Sequence, residues 1–162
     1  MTFFHIRPDA IDRAAGLVSG DQVFDLRDLR REFVEGCGAC QASVLSPEDD
    51  LGLNPEWRAA IARRAAALSG NPALVAEYPA PTCEALRMLA EGREPDEPKL
   101  RAVARHADMI VLAPADARPE HLQNLAAAGL SVPQIIALSE LLAFISFQIQ
   151  VAHGLSLLKG VE

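Results

Sequence analysis

An all-α fold follows from three features of this sequence. Half of the residues are apolar, yet aromatics make up only 5% of the chain, with alanine and leucine dominant; such a composition favours helices over strands. Apolar residues recur at three- and four-residue intervals in several segments, and none alternates convincingly as a strand does. The third feature is the stretch Ser131 to Leu158, SVPQIIALSELLAFISFQIQVAHGLSLL. Ser131 and Gln134 have capping-box spacing, and no proline or glycine falls between Gln134 and His153. At about 1.5 Å per residue this helix is roughly 40 Å long. Being apolar round most of its circumference, it is expected inside a helical bundle and inside a subunit interface.

The other elements can be placed in order. Residues 8 to 18 form a short amphipathic start. Asp21 can cap a helix running to Val44, with Pro47 beyond it as a stop. After the loop SPEDDLGLNP, Asn54 caps a helix with Pro55 at its first position, where no amide donor is needed. Trp57, Ile61, Ala65 and Leu68 mark the expected buried face of that helix, and Arg58, Arg63 and Arg64 fall mostly off it. Gly70-Asn71-Pro72 breaks or restarts the chain, as does Tyr78-Pro79-Ala80-Pro81. Thr82 caps a helix to about Glu91, and GREPDEP is a charged linker. Asp96 caps the next helix, on which Leu100, Val103, Ala104, Ala107 and Val111 form a stripe that the run MIVL at 109–112 continues. Pro119 opens a short helix that Gly129 closes. LNPEWRAAI from Leu53 echoes LSVPQIIAL from Leu130, a leucine, a capping residue, a proline and an apolar helix in each case.

Length suits a single domain spanning residues 1–162, with a substantial core. The net charge of −7 argues against nucleic acid and anionic membrane as partners, since both call for a basic surface. The N-terminus, MTFFHIRPDAIDR, reaches Arg7 and Pro8 before an apolar signal region can develop. Glu140 and the polar residues around it argue against a membrane span at the C-terminus. Three cysteines without a signal do not suggest a disulfide framework, and the expected compartment is a reducing cytoplasm.

Cys37-Gly38-Ala39-Cys40 is the one motif with evident chemistry. In such a pair one thiolate can attack and the other can resolve the resulting disulfide or sulfenic acid, provided that a helix N-terminus or a cation lowers a thiol pKa. Read as one helix from Asp21, the pair lies near the negative C-terminal end. Leu26, Leu29, Phe33, Cys37, Cys40 and Val44 make one stripe, which favours two small buried hydrophobes; a redox pair and a metal site are the other readings. No metal is expected, because zinc wants four ligands and the four histidines, His5, His106, His121 and His153, are scattered. Ser139, Ser146, Gln150 and His153 share a polar stripe, suited to hydrogen bonding across a core or interface or to lining a ligand site. Glu48, Asp49 and Asp50 read as solvated charge. No phosphate loop, nucleophile elbow or dinucleotide fingerprint occurs, and no cofactor is called for.

Two stretches carry a family resemblance. LNPEWRAAIARRAAALSGNPALVAEY (residues 53–78) and AAGLSVPQIIALSELLAFISFQIQVAHGL (residues 127–155) together resemble the alkylhydroperoxidase-D-like (AhpD-like), carboxymuconolactone-decarboxylase (CMD) superfamily. The second is similar to the ending of a CMD-domain subfamily with an LSxLxAFxxFQ pattern. The resemblance implies an AhpD-like helical bundle, homo-oligomers built on helix packing and, in active members, thiol peroxidase chemistry at a C-x-x-C-x-x-x-H motif with an upstream glutamate. That motif falls on Gly70, Ala73 and Glu77, with Glu56 upstream, so both cysteines and the histidine are missing. The expectation is a peroxidase-related protein with a degenerate redox site, binding a small apolar ligand or serving as a non-catalytic partner of an active CMD-family relative. The alternative is a thiol-dependent hydroperoxide reductase using Cys37 and Cys40. A third possibility is lyase or isomerase chemistry in a pocket formed by Glu77, Gln150 and His153.

Overall fold

The computed structural model describes residues 8–160. His5 and most of the N-terminal segment read above for a signal lie outside them. Nine α-helices and one 3-10 turn make up the regular structure, with no strand among the described residues. They are α1 (Ala10–Ala14), α2 (Gln22–Asp28), α3 (Arg31–Leu45), α4 (Pro55–Leu68), α5 (Pro72–Ala76), α6 (Glu84–Ala90), α7 (Pro98–Leu112), the 3-10 turn Pro114–Asp116, α8 (Pro119–Ala127) and α9 (Val132–Lys159). The all-α class is therefore what the sequence predicts.

Local chemistry sets most boundaries as expected. The Asn54 side chain accepts the Trp57 N–H at 2.9 Å ahead of Pro55, and Asn71 accepts that of Leu74 at 3.0 Å ahead of Pro72. Ser131 and Gln134 form the reciprocal capping box at the start of α9. The two echoing segments both bury their leucine, Leu53 and Leu130, beside a side-chain cap, and the helices they open, α4 and α9, pack on each other. Gly129 closes α8 with a positive φ of 92°, a region that costs glycine little.

Three expectations are corrected. The segment from Asp21 is two helices, because Arg30 leaves the helical region (φ −108°, ψ 54°). Arg27 is drawn to Asp9 and Asp12 at 2.8 and 2.7 Å, while Val23 and Phe24 pack with Ala15 and Leu17. α2 is thus tied to the N-terminal turn and α3 starts afresh. A bend without glycine or proline leaves the three-and-four spacing intact, so the pattern hides it. The caps at Thr82 and Asp96 each move one residue on, to Cys83 and Glu97. Cys83 is therefore an exposed cap.

The third correction concerns α4, which is buried nearly all round. Ala59, Ala60, Ile61, Ala62, Ala65 and Ala66 are in the core, and so are Arg58 and Arg64, only 3% and 6% exposed. Small side chains let α3, α5, α6, α7 and α9 approach this helix. Its arginines bind their carbonyls. Arg58 donates to Leu53, Asp50 and Val44, the last near the end of α3. Arg63 donates to Val75 near the end of α5 and to Tyr78. Arg64 donates to Leu89 near the end of α6 and to Arg93, and forms a two-pronged pair with Asp108 of α7 at 2.6 and 2.7 Å. Cations and donors at helix C-termini satisfy orphan carbonyls and the helix dipole together.

α9 is long and apolar enough to cross a membrane by length and composition. In the fold, Leu138, Leu141, Leu142 and Ile145 on its inner face are fully buried in the core that α4 and α7 share. Gln148, 1% exposed, accepts the Tyr78 hydroxyl and donates to Gln41 of α3 at 3.2 Å, so that a polar chain crosses the bundle.

Replacing Arg64 with methionine keeps much of the packing volume but frees two carbonyls and leaves Asp108 without its pair. We expect Arg64→Met to lower unfolding free energy by about 3 kcal/mol in chemical denaturation. A loss below about 0.5 kcal/mol, the scale of an ordinary surface change, would show that these clamps are dispensable.

Candidate functional site

α3 and α9 run antiparallel, and the seam between them is open. At one end α2, the bend at Arg30 and α3 contribute Leu26, Arg27, Arg30 and Phe33, facing Val151, Leu155 and Leu158 of α9 across a cavity of about 540 Å³. At the other end Cys37, Cys40, Ser43 and Val44 face Glu140, Phe144 and Phe147 across a cavity of about 590 Å³. The α9 residues follow helical spacing, so the two cavities share one face of that helix. The seam is the stripe read from Leu26 to Val44, but most of it is uncovered. Leu26 and Phe33 are each 55% exposed and Leu29 79%, while Val44 is the only buried residue of α3. The expectation that this stripe is core is corrected for all but Val44 and, in part, Cys37.

Cys37 is half-buried and packs against the core edge; Cys40 is exposed; both thiols are free. Because α3 begins at Arg31, the pair stands mid-helix, where neither pole of the dipole reaches it strongly. Burial pushes the Cys37 thiol above its ordinary pKa, and Arg27 only partly offsets this. Nothing here activates the thiol as an N-terminal position would. The apolar seam has a basic end and an acidic end. Arg30 lies over the Phe33 ring at 4.1 Å and is largely exposed, and Glu140 is exposed at the opposite end.

The structure does not bring Glu77, Gln150 and His153 together. Glu77 is held by Arg13 through two bonds of 2.6 and 2.5 Å. Gln150 and His153 are exposed. Gln150 is two residues from the buried Gln148, about 200° round a helix of 3.6 residues per turn, and so faces away from Tyr78. Of the polar stripe, Ser139 donates back to the Ile135 carbonyl at 2.8 Å, and only Ser146 turns inward, its hydroxyl buried without a partner.

The stretch Gly70 to Glu77, on which the C-x-x-C-x-x-x-H spacing falls, is structurally distinct from the cysteine pair. Gly70 takes a left-handed turn (φ 69°), Ala73 is exposed on α5, and a cavity of about 440 Å³ beside them is lined by Arg63, Ala67, Asn71, Val75 and neighbours, without thiol, carboxylate or imidazole. The upstream Glu56 carboxylate is engaged elsewhere, accepting the Thr82 N–H and hydroxyl at 2.5 and 2.7 Å and the Cys83 N–H at 3.2 Å. It ties the turn that leads into α6 to α4. Among the described residues no cluster of three or more His, Cys, Asp or Glu side chains forms a metal site. Compared with known protein families, curated proteins and solved structures, the chain matches none.

Sequence reasoning missed Tyr78 and Gln148. The YPAP run marks a chain break and gives no sign that its tyrosine is the largest fully buried side chain. Burial, and then the charge of Glu77, push the Tyr78 phenol far above its ordinary pKa, so that it stays a neutral donor to Gln148.

Two outcomes follow. In alkylation by a maleimide at a dilution that keeps the chain monomeric, Cys40 should react well ahead of Cys37, and the Cys37 rate should keep climbing with pH beyond the point where an ordinary thiol levels off; equal rates would contradict the placement. The bonds to Thr82 and Cys83 hold Glu56 below its ordinary pKa. Its contribution to stability is therefore fully present above that ordinary value and disappears as pH falls through the lowered one. Glu56→Gln should remove this part of the acid dependence, as measured by comparing thermal melts at neutral pH with melts at pH values below the ordinary glutamate pKa.

Proposed function

We propose that this chain is a peroxidase-related protein of the CMD type whose redox site is degenerate, and that it works in the cytoplasm as a non-catalytic association subunit. The observation that carries the reading is the cavity at Gly70 to Ala76, which lacks every group the peroxidase reaction uses. What takes its place is the apolar seam of α2, α3 and α9, whose occupant is a second copy of this chain.

Charge supports that occupant. A twofold pairing is self-complementary, so a patch that contacts residue j through residue i also contacts i through j. With Arg30 at one end of the seam and Glu140 at the other, an antiparallel copy sets each arginine against the partner's glutamate and covers Leu26, Phe33 and Phe147. A helix of 15 residues with one buried side chain has little packing of its own.

Sedimentation should find a dimer. Phe33→Glu should give a folded monomer. Arg30→Glu and Glu140→Arg should each weaken the dimer about tenfold, and the double reversal should restore it. A monomeric wild type at micromolar concentration, or a double reversal as weak as the single ones, would overturn the pairing.

A second reading rests on a different fact: Cys37 and Cys40 line the same open cavity. There a thiolate would displace alkoxide from a hydroperoxide and become a sulfenic acid. The other thiol would expel water to form the disulfide, and an external dithiol would reduce it. Dithiol-dependent turnover of an organic hydroperoxide that Cys40→Ser abolishes would establish this reading. Equal background rates in both proteins would leave the non-catalytic one.

A further inference from the structure

On the far side of α7 from the core lies a cavity of about 490 Å³, lined by Arg101, Arg105, His106 and Met109 of α7 and by His121 and Asn124 of α8. No carboxylate is in its wall, in a chain of net charge −7. Helical spacing puts the α7 groups on one stripe, opposite the core stripe of Leu100, Val103 and Ala107.

His106 is the decisive residue. It is 6% exposed, and its Nδ1 is buried without a hydrogen-bond partner while the ring faces the cavity. An unpaired buried polar atom costs about 1–3 kcal/mol, and a ligand acceptor would satisfy it. His121 is already oriented. Its Nδ1 accepts the Arg118 N–H at 3.2 Å, so the neutral ring carries its proton on Nε2. Arg101 is fixed by the carbonyls of Pro95 and Asp96 at 3.1 and 2.8 Å, and Arg105 by Glu94 at the rim, 3.0 Å from its Nε. The Nη1 groups of both arginines take part in none of these bonds. Glu94 stands between the two guanidiniums, 3.7 Å from Arg101 Nε, so a single carboxylate faces two cations, and the two imidazoles and the amide are left beside them.

We propose that this cavity binds a small organic anion, its carboxylate or phosphate received by Arg101, Arg105, His106 and His121, its short apolar body resting on Ala102 and Met109. Donors held in place before the ligand arrives keep the ordering cost of binding low, and charge-assisted hydrogen bonds are the stronger kind. This site is separate from the α2–α3/α9 seam and does not depend on how that seam is used.

The test is an NMR titration of the histidine ring resonances of the full chain with benzoate, phenyl phosphate and inorganic phosphate. We expect saturable shifts at His106 and His121 with benzoate or phenyl phosphate, and the preferred one identifies the head group. Arg105 is largely exposed, so Arg105→Gln should fold normally and weaken binding about tenfold. His106→Leu fills the same buried position with an apolar side chain and should lose the ligand-dependent shift at His121. No saturable shift with any of the three probes would overturn the site, as would saturation by inorganic phosphate alone or affinity unchanged in both variants.

Discussion

The fold depends on the guanidinium groups of α4. Three helices, α3, α5 and α6, end against this one, and each presents a carbonyl from its last turn to a different arginine. A helix C-terminus inside a bundle has orphan acceptors and the negative pole of its dipole, and both are costly away from water. Arginine answers both, because its planar head offers five donors in fixed directions and remains charged when buried. Lysine's three donors radiate from a single nitrogen, so it cannot serve carbonyls set well apart as the spread fork of a guanidinium does. Nearly all the 15 basic residues are arginine, with lysine only at Lys99 and Lys159. Burial lowers the pKa of Arg58, yet three carbonyl acceptors keep the cation worthwhile where it stands. The alanines of α4 complete the arrangement by letting neighbours come close enough for those side chains to reach.

From this hub the position of α3 follows. Its C-terminal end is fixed by Arg58 through the Val44 carbonyl, and its middle is held by Gln41 through Gln148 and Tyr78. Its N-terminal end follows α2, which Arg27 ties to Asp9 and Asp12. Among the described residues, the remaining surface of α3 has nothing to pack against. An outer helix held by polar contacts at several points along its length can stay in register while its apolar side chains remain uncovered. That is why the exposed seam is a stable feature and not a sign of a loose element.

The legible part of this fold was the part governed by local chemistry. Proline, asparagine and serine at helix starts act on the next three residues, so Asn54, Asn71 and Ser131 could be read in order along the chain. The stripe of α7 was legible because that helix has one buried face. α4 was misread for the opposite reason. A helix surrounded by others has no polar face, and its arginines look like surface residues until the carbonyls they serve are seen. The seam was misread by the same logic, since periodicity reports that Leu26, Phe33 and Cys37 share a face but not whether anything covers it. Cys37 and Cys40 were visible as a pair. Their mid-helix position depended on the bend at Arg30, which has no sequence signature. His106 gave no signal either, because its unpartnered Nδ1 is a property of the packed structure.

The same use of arginine accounts for the contrast between the molecule's two open surfaces. With Arg58, Arg63 and Arg64 turned inward and Arg13 and Arg27 paired with carboxylates, few cations are left to balance an acidic exterior. Of the charged side chains lining the seam, Arg27 is paired within the chain, while the exposed Arg30, beside Glu32, and Glu140 stand at opposite ends, which leaves the hydrophobic effect as the driving force there and charge as the guide to orientation. The α7–α8 cavity is the reverse: its donors converge beside a single carboxylate, Glu94, and against the surrounding negative field the anion proposed there gains by also burying an apolar body. An anion without such a body gains the same hydrogen bonds but must overcome that field unaided. A difference between benzoate or phenyl phosphate and inorganic phosphate is therefore built into the charge distribution that the clamps of α4 impose.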